Sequence, residues 1–545
     1  MTMPRSLLPR RAAIALAVLV GSACSTPRLG LRDLPPAPAS LRAAFDAMPA
    51  PAEARVRVLD DNVDAWIARF TALEAARATI DVQYFILEPD AFGLALVGLL
   101  AEKARAGVKV RLMVDARGSA GFIRGSQRYL LQAAQLAGVD VRVYNPILFQ
   151  IGDTLARGDL RGVTASNHDK LVIVDGRWCI SGGRNLSKDY LSDPRDQPAA
   201  FIDMDVLYDG AAAAKRFDDA FASEFAARRA TPLMVEAPGD GRAGLAVALA
   251  AMRAWLHDPP FPPDELSSLS DDDRATIARA FEQHLLAHVP VATDADEVRA
   301  VLRDVAVQLA ARGHLRGAHD TAKTAFVDGV GVRVLDTHSV EGSVLRNTVN
   351  ENLLVAVQSA RSSILIQSPY FLLTERGIRA LEGAAARGVR ITILTNSPTS
   401  SDNAATQAAF LLQWPELLAR VPTARLFVVA EARLMHAKVG VMDDELAFVG
   451  SYNLDPLSAA VNGEVLGALW SAPLARQLAG LVEDRIRSGA PGVVEYRIAR
   501  GPDGSVIRRD GNPVVAFGPD DHCDDELLAG IRRLQPLVDF FTPIL

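Results

Sequence analysis

HDKLVIVDGRWCISGGRN occupies residues 168–185, and HAKVGVMDDELAFVGSYN occupies residues 436–453. In both, Lys follows His by two residues, Asp by seven and Gly by fourteen, and an Asn closes the segment. The first copy supplies His168, Lys170, Asp175, Gly182, Gly183 and Asn185; the second supplies His436, Lys438, Asp443, Gly450, Ser451 and Asn453. Agreement at fixed spacing over five positions marks a duplication rather than two accidents. The apolar run after each Lys predicts a buried strand, on which His and Lys, two residues apart, share one face.

The repeat extends upstream. AWIARFTALEAARATIDVQYFI (65–86) places Ile67, Phe70 and Leu73 at helical spacing and then turns strand-like, and ENLLVAVQSARSSILIQSPYF (351–371) matches it, pairing Arg77 with Arg361, Ile80 with Ile364 and Gln83 with Gln367. ARAGVKVRLMVD (104–115) and AARGVRITILTN (385–396) each read as a helix closed by Gly and followed by a strand. Helix then strand, twice in each half, predicts an α/β protein of two similar halves with mixed, largely parallel sheets. The halves are read as 25–230 and 326–545, the second with a C-terminal extension. Between them, 231–325 carries PPFPP (259–263), the acidic SDDD (270–273) and the amphipathic RATIARAFEQHLLAHV, which predicts a mainly helical connector or cover. His257, His284, His288, His314 and His319 fall there without the spacing of a metal site.

With 545 residues, 49% hydrophobic and 23% charged, the chain reads as several globular domains. Cys24, Cys179 and Cys523 are too scattered for a disulfide framework or a zinc cluster. The net charge of -7 disfavours a protein that coats nucleic acid. At the N-terminus, Arg5, Arg10 and Arg11 precede the apolar AAIALAVLV (12–20) and GSAC (21–24), the order of a secretory signal over 1–24, with an apolar run too short to span a bilayer. Its end resembles the lipobox of bacterial lipoproteins, which makes Cys24 the lipidation candidate; Gly21 and Ala23 also suit ordinary signal cleavage. By similarity to lipoprotein sorting rules, Ser25 favours an outer membrane. Loss of the three arginines takes the charge to -10, so a lipid anchor rather than charge would hold the protein to an anionic membrane. The expected location is the cell envelope, on the periplasmic side.

A His and a Lys side by side, supplied twice, suit transfer at a phosphodiester. One imidazole attacks phosphorus, the other protonates the leaving oxygen, and two ammonium groups hold the non-bridging oxygens. Asn185 and Asn453 would donate further hydrogen bonds. Lys170 and Lys438 neutralise the phosphate and no carboxylate cluster is evident, so neither a metal nor a cofactor is expected. Each histidine needs an acceptor behind it. Glu464 is the candidate in the second half; Asp203 and Asp205 are candidates in the first, with Asp205 preferred because the strand-like VLY follows it. Asp175 and Asp443, an odd number of residues from their histidines, read as turn or salt-bridge residues that fix the motif. Tyr84, Tyr370 and Phe371 read as core aromatics, with the lining of an acyl or glycerol groove as the alternative.

The paired HxKxxxxDxxxxxxG(G/S)xN resembles the signature of the phospholipase D superfamily. The resemblance implies two α/β halves with the active site between them, a phosphohistidine intermediate, His168 as nucleophile and His436 as acid and then base. Within the superfamily the chain is most similar to bacterial cardiolipin synthases and phospholipase D-like relatives, through DVQYFI (81–86), LMVDARGS (112–119), GGRNLSKDY (182–190), TNSPTSSD (395–402) and GSYNLDPLSAAVNGE (450–464). It departs in carrying Gly183 where Ser is common, and in lacking a histidine shortly after Asp402. The resemblance implies a phosphatidyl transferase acting at a membrane surface, with phosphatidylglycerol and phosphatidylethanolamine as candidate substrates. Hydrolysis of phospholipids to phosphatidic acid is the alternative. A nuclease is disfavoured by the charge and export signal, and a non-catalytic lipid-binding protein by the four intact His and Lys positions. No nucleic-acid partner is expected, and the chain is expected to act as a monomer.

Overall fold

A computed structural model describes residues 33–147, 149–150, 152, 165–235, 241–257, 271–288, 296–318, 324–338, 346–489 and 492–536. The signal segment with Cys24, the PPFPP stretch and His319 lie outside the described residues. No helix among the described residues is long and apolar enough to cross a membrane. The chain divides into two compact units, a first of Ala52–Pro146 with Ser166–Val330, and a second built mainly from Gly331 onward.

The first unit is a single mixed sheet with helices. Its strands are β1 (Pro51–Leu59), β2 (Thr79–Tyr84), β3 (Lys109–Asp115), β4 (Asp140–Tyr144), β5 (Lys170–Val174), β6 (Trp178–Gly182), β7 (Asp205–Asp209) and β8 (Ala230–Pro232). They lie in the order β8-β4-β3-β2-β5-β6-β7-β1. Helices α1 (Asn62–Ala75), α2 (Ala91–Arg105) and α3 (Arg128–Leu136) connect β1 through β4, and α4 (Ala211–Phe225) joins β7 to β8. Asp61 and Asp90 cap α1 and α2 by accepting backbone N–H bonds, and Gly107, at φ 93°, ends α2 as the Gly after Ala106 predicts.

The second unit repeats this plan. β9 (Val327–His338) pairs at its end with β10 (Arg346–Asn347) and along its length with β16 (Glu464–Trp470). The sheet runs on through β15 (Leu446–Gly450), β14 (Val439–Met442), β11 (Ser363–Gln367), β12 (Arg390–Asn396), β13 (Ala424–Val429) and β17 (Val493–Ile498). Strand for strand this is the order of the first unit, with β14 in the place of β5. Helix α8 (Thr348–Ser359) precedes β11 as α1 precedes β2.

One expectation needs correction. The α/β class and the doubled plan stand, but the sheets are not largely parallel: among the described strands of each unit, only the β2–β3–β4 and β11–β12–β13 strand pairings are parallel. The helical crossovers impose parallel pairing only there. Beyond them the chain folds back through tight hairpins. Asp175 and Gly176 between β5 and β6, like Asp443 and Asp444 between β14 and β15, take φ of 51° to 59°, the consecutive left-handed residues of a primed hairpin turn, so the strands they join are antiparallel.

Helices α5 (Gly241–His257), α6 (Asp271–His288) and α7 (Asp296–Ala310) occupy the segment after β8 and pack on the first unit. Trp255, Phe281, Val301 and Val305 enter the same core as Leu96 and Leu100 of α2. Gly98 is what lets α5 approach α2, because a Cβ there would fall 2.6 Å from the Leu245 carbonyl oxygen. Arg253 clamps the same contact through Glu74 and Glu102.

Candidate active site

His168 ends the approach to β5 and Lys170 begins the strand; both are buried. The residue before His168 is held by the end of β3. Asp115 accepts the Asn167 N–H at 2.9 Å and also caps the turn at Arg117 and Gly118. The second unit makes the same brace with an amide: Asn396, at the end of β12, accepts the Met435 N–H at 3.0 Å and donates to the Met435 and Pro369 carbonyls. Asp115 and Asn396 are the aligned last residues of the quoted upstream repeat, which was the available signal for a role that the motif spacing alone does not reveal.

The two His–Lys pairs share a backbone and differ around it. In each, the Lys Nζ folds back to donate to the carbonyl oxygen of its own His. Lys438 Nζ also stands 2.9 and 3.0 Å from the two ring nitrogens of His436. In the first unit an aromatic ring stands beside both residues. Phe85 packs edge-on against His168 at 4.9 Å between centroids, and Lys170 Nζ lies 5.4 Å from the Phe85 ring.

Asp175 and Asp443 are the turn residues that tie the end of each motif strand to the start of its neighbour, β2 in the first unit and β11 in the second. Asp175 accepts the backbone N–H groups of Arg77, Ala78 and Thr79; Asp443 accepts those of Arg361, Ser362 and Ser363 and the Ser362 hydroxyl. Burial pushes each carboxyl pKa up, but the N–H bonds outweigh it and hold both below the ordinary value. Gly182 and Gly450 allow close approach of the neighbouring strand: a Cβ would fall 2.5 Å from the Met204 carbonyl oxygen in one and 2.3 Å from that of Val465 in the other.

The acidic residues are placed differently from expectation. Gly182 pairs with Asp205 across β6 and β7, whereas Gly450 pairs with Leu466 across β15 and β16, so the counterpart of Glu464 is Asp203. Asp205, preferred from the sequence, is a core residue. It accepts from Arg69 Nη2 at 2.7 Å and from the side chain and backbone N–H of Arg184 at 3.1 Å, and all three side chains are sealed from solvent. With both oxygens engaged by Arg69 and Arg184, and all three side chains buried together, Asp205 holds the fold. Asp203 instead takes up the space over Gly183, where a Cβ would fall 2.1 Å from its Oδ1. This explains the Gly in the first copy. In the second, Ser451 Oγ donates to Glu464 at 2.6 Å, and Ser458 Oγ does the same from the other side.

The asparagines also diverge. Asn185 donates to the Tyr190 hydroxyl at 2.9 Å and accepts the Ile86 N–H at 3.1 Å, so it braces the turn rather than standing open as a donor. Asn453 is buried, and its Oδ1 meets no partner among the described residues. Asp455, two residues on, caps the short helix Pro456–Ala460. Dense surroundings and then the neighbouring Glu464 push its carboxyl up to about 6, against the opposing pull of the Ser458 N–H and Lys438. Of the aromatics, Tyr84 is buried with its hydroxyl on Arg69, Phe371 is in the second core, and Tyr370 donates to Asp402 at 2.6 Å.

A family model described as "Cardiolipin synthase, PLD-like domain" matches residues 70–224 and 353–485, just over half of the chain and both motifs. Cardiolipin synthase C of Escherichia coli (strain K12) is 26% identical over 438 residues, covering 77% of this chain and 82% of that protein. The probable cardiolipin synthase YwiE of Bacillus subtilis (strain 168) is 25% identical over 427 residues, 78% of this chain and 64% of its own length. Among solved structures, the phosphatidylserine synthase of Haemophilus influenzae Rd KW20 superposes with a TM-score of 0.57 over 93% of this chain and 100% of that one, at 12% identity, a likeness of fold. With its doubled sheet, its two His–Lys strands and this match, the chain belongs to the cardiolipin synthase family of phospholipase D-like proteins.

Proposed function

We propose that the protein is a phosphatidyl transferase of the cardiolipin synthase type. The observation that carries this reading is the His–Lys pair placed at one strand position in two units of identical strand order, each pair buried and each His braced by the residue before it. His168 attacks phosphorus, and the bond to the leaving alcohol breaks as His436 gives that oxygen its proton. A second lipid alcohol then loses its proton to His436 and attacks the phosphohistidine, breaking the P–N bond and regenerating His168. One phosphodiester is exchanged for another, so no nucleotide is consumed. Lys170 and Lys438 supply the positive charge that the phosphoryl oxygens need, and the buried Asn453 amide is a further ligand for them. Water in place of the second alcohol gives phosphatidic acid, the hydrolytic alternative.

The test is to give purified protein phosphatidylglycerol and phosphatidylethanolamine vesicles in the presence of a chelator and to follow products by lipid mass spectrometry. Cardiolipin with released glycerol or ethanolamine is expected. Phosphatidic acid alone would replace transfer by hydrolysis. Activity lost to the chelator and restored by a divalent cation would overturn the metal-free mechanism. The export signal and Cys24 further support action at the envelope, anchored by lipid.

A further inference from the structure

One corner of the core, between the motif strand and the helix that opens the unit, is built from corresponding positions in the two halves and filled in opposite ways. In the first unit Arg69, Tyr84, Val172, Arg184 and Asp205 occupy it, with Arg69 bonded to the Tyr84 hydroxyl and both arginines to Asp205. The repeat spacing and strand register put Leu353, Ser368, Gly440, Tyr452 and Leu466 in those places in the second unit. Three charged side chains become apolar or aromatic, a Tyr becomes Ser, and a Val becomes Gly.

The second corner is hollow. A cavity of about 70 Å³ opens there, with Lys438 in its wall and Leu353, Ile366, Phe448 and Leu466 among its lining residues. A second cavity of about 60 Å³ shares Leu353, Val357, Ile366, Tyr452 and Leu454 with it and continues to Leu373 and Ala380. A Cβ added at Gly440 would meet nothing nearer than Phe448 atoms at 3.7 Å, so the missing side chain is part of the void. Leu353, Gly440 and Leu454 remain half-buried at its edge. Packed interiors leave few voids larger than a water molecule, and an apolar void stays dry and accepts apolar guests.

We propose that this cavity receives methylenes of one acyl chain of the phospholipid whose phosphate is held at Lys438. The inference rests on the phosphatidyl transfer reading and adds to it where the lipid tail goes. A sugar, glycerol or nucleotide portion would find almost no polar partner on these walls. A hydrocarbon finds leucines, isoleucine and phenylalanine beginning at the phosphate-binding lysine itself.

The experiment is kcat/KM for soluble phosphatidylglycerols with acyl chains of increasing length, below their micelle concentrations, for wild type, Gly440→Ala, Gly440→Val and Leu353→Ala, each checked for folding by thermal unfolding. Wild type should gain up to about fourfold per methylene over the length the cavity holds. Gly440→Val, which installs the residue of the first unit, should flatten that gain to under about twofold, and Gly440→Ala, the milder filling should Val not fold, should reduce it in part. Leu353→Ala should extend the gain to longer chains. A wild-type enzyme inactive on every phospholipid would refute the transferase reading itself. Active, folded Gly440 variants with the wild-type chain-length gain would overturn the cavity assignment alone.

Discussion

Asp205→Asn separates a fold-holding carboxylate from a working one. In the native first unit two guanidiniums share this single carboxylate, and the remaining donors of Arg184 go to the carbonyls of Leu59, Asp60 and Asp203 and to the Asn62 side-chain oxygen. Neutralising Asp205 keeps an oxygen in place but leaves two buried cations without their anion. At an effective dielectric of ~20, each pair at ~4 Å is worth ~4 kcal/mol before relaxation, and removing one partner of a buried pair costs ~3–5 kcal/mol in practice. Against a domain stability of ~5–15 kcal/mol this is severe, and it should lower the melting temperature by about 10 °C. Asp203→Asn keeps the acceptor for the Met204 N–H and leaves both arginines with Asp205, so it should cost less than ~1.5 kcal/mol while reducing transfer. Urea and thermal unfolding of both variants, with turnover measured well below the transition, make the comparison. An Asp205→Asn protein within ~1 kcal/mol of wild type that loses as much activity as Asp203→Asn would restore Asp205 to the active site and refute this assignment.

Further consequences can be measured on the same material. His168→Ala and His436→Ala should each reduce transfer at least ~100-fold with unchanged unfolding, since both steps use both imidazoles. Asp443→Ala should cost ~2–4 kcal/mol by orphaning the start of β11; because the folded carboxyl sits below its ordinary pKa, its stabilisation is full above about pH 4 and lost on acidification, so the variant should converge on wild type in acid. Gly183→Ala, whose Cβ collides with the Asp203 carboxylate, should cost ~1–3 kcal/mol and lower turnover, as read by unfolding and product formation. Asp455 has the opposite sign to Asp443: its carboxyl, raised to about 6, favours folding below pH 4 and loses that contribution as pH rises through 6. Asp455→Asn, an equally good helix cap, should therefore gain about 2 kcal/mol on wild type between pH 4 and pH 7.5.

What was legible in the sequence follows the strand period. His168 with Lys170 and His436 with Lys438 share a face because residues two apart on any strand do, and the odd spacing of Asp175 and Asp443 from their histidines marked them as turn residues. The sense of the ladder was harder, because it depends on how the chain returns after the third crossover, and the helix–strand alternation that speaks for parallel pairing ends there. The choice between Asp203 and Asp205 was beyond periodicity altogether. The two are also two apart, which the strand period does not tell apart, and only the register against Gly182 tells which of them matches Glu464. Arg69 and Arg184 hid for a related reason: an arginine in a helical or turn segment reads as solvated, and nothing local says that a carboxylate on β7 waits for it.

The two acid positions show what the duplication conserved. A carboxylate stands beside the Gly–Gly corner in one copy and the Gly–Ser corner in the other, and each copy anchors it with different atoms. The short Asp203 fits because Gly183 has no side chain, and the backbone N–H of Met204 holds it at 2.7 Å. Glu464 is one methylene longer, and the hydroxyls of Ser451 and Ser458 hold its two oxygens at 2.6 Å. Gly with Asp and Ser with Glu are thus matched pairs, and exchanging one member alone should harm either copy: Gly183→Ser drives a hydroxymethyl group into Asp203, and Ser451→Gly strips Glu464 of one clamp. The loss of a Ser from the first motif is therefore not a weakened copy of the second but a different solution to holding one negative charge still.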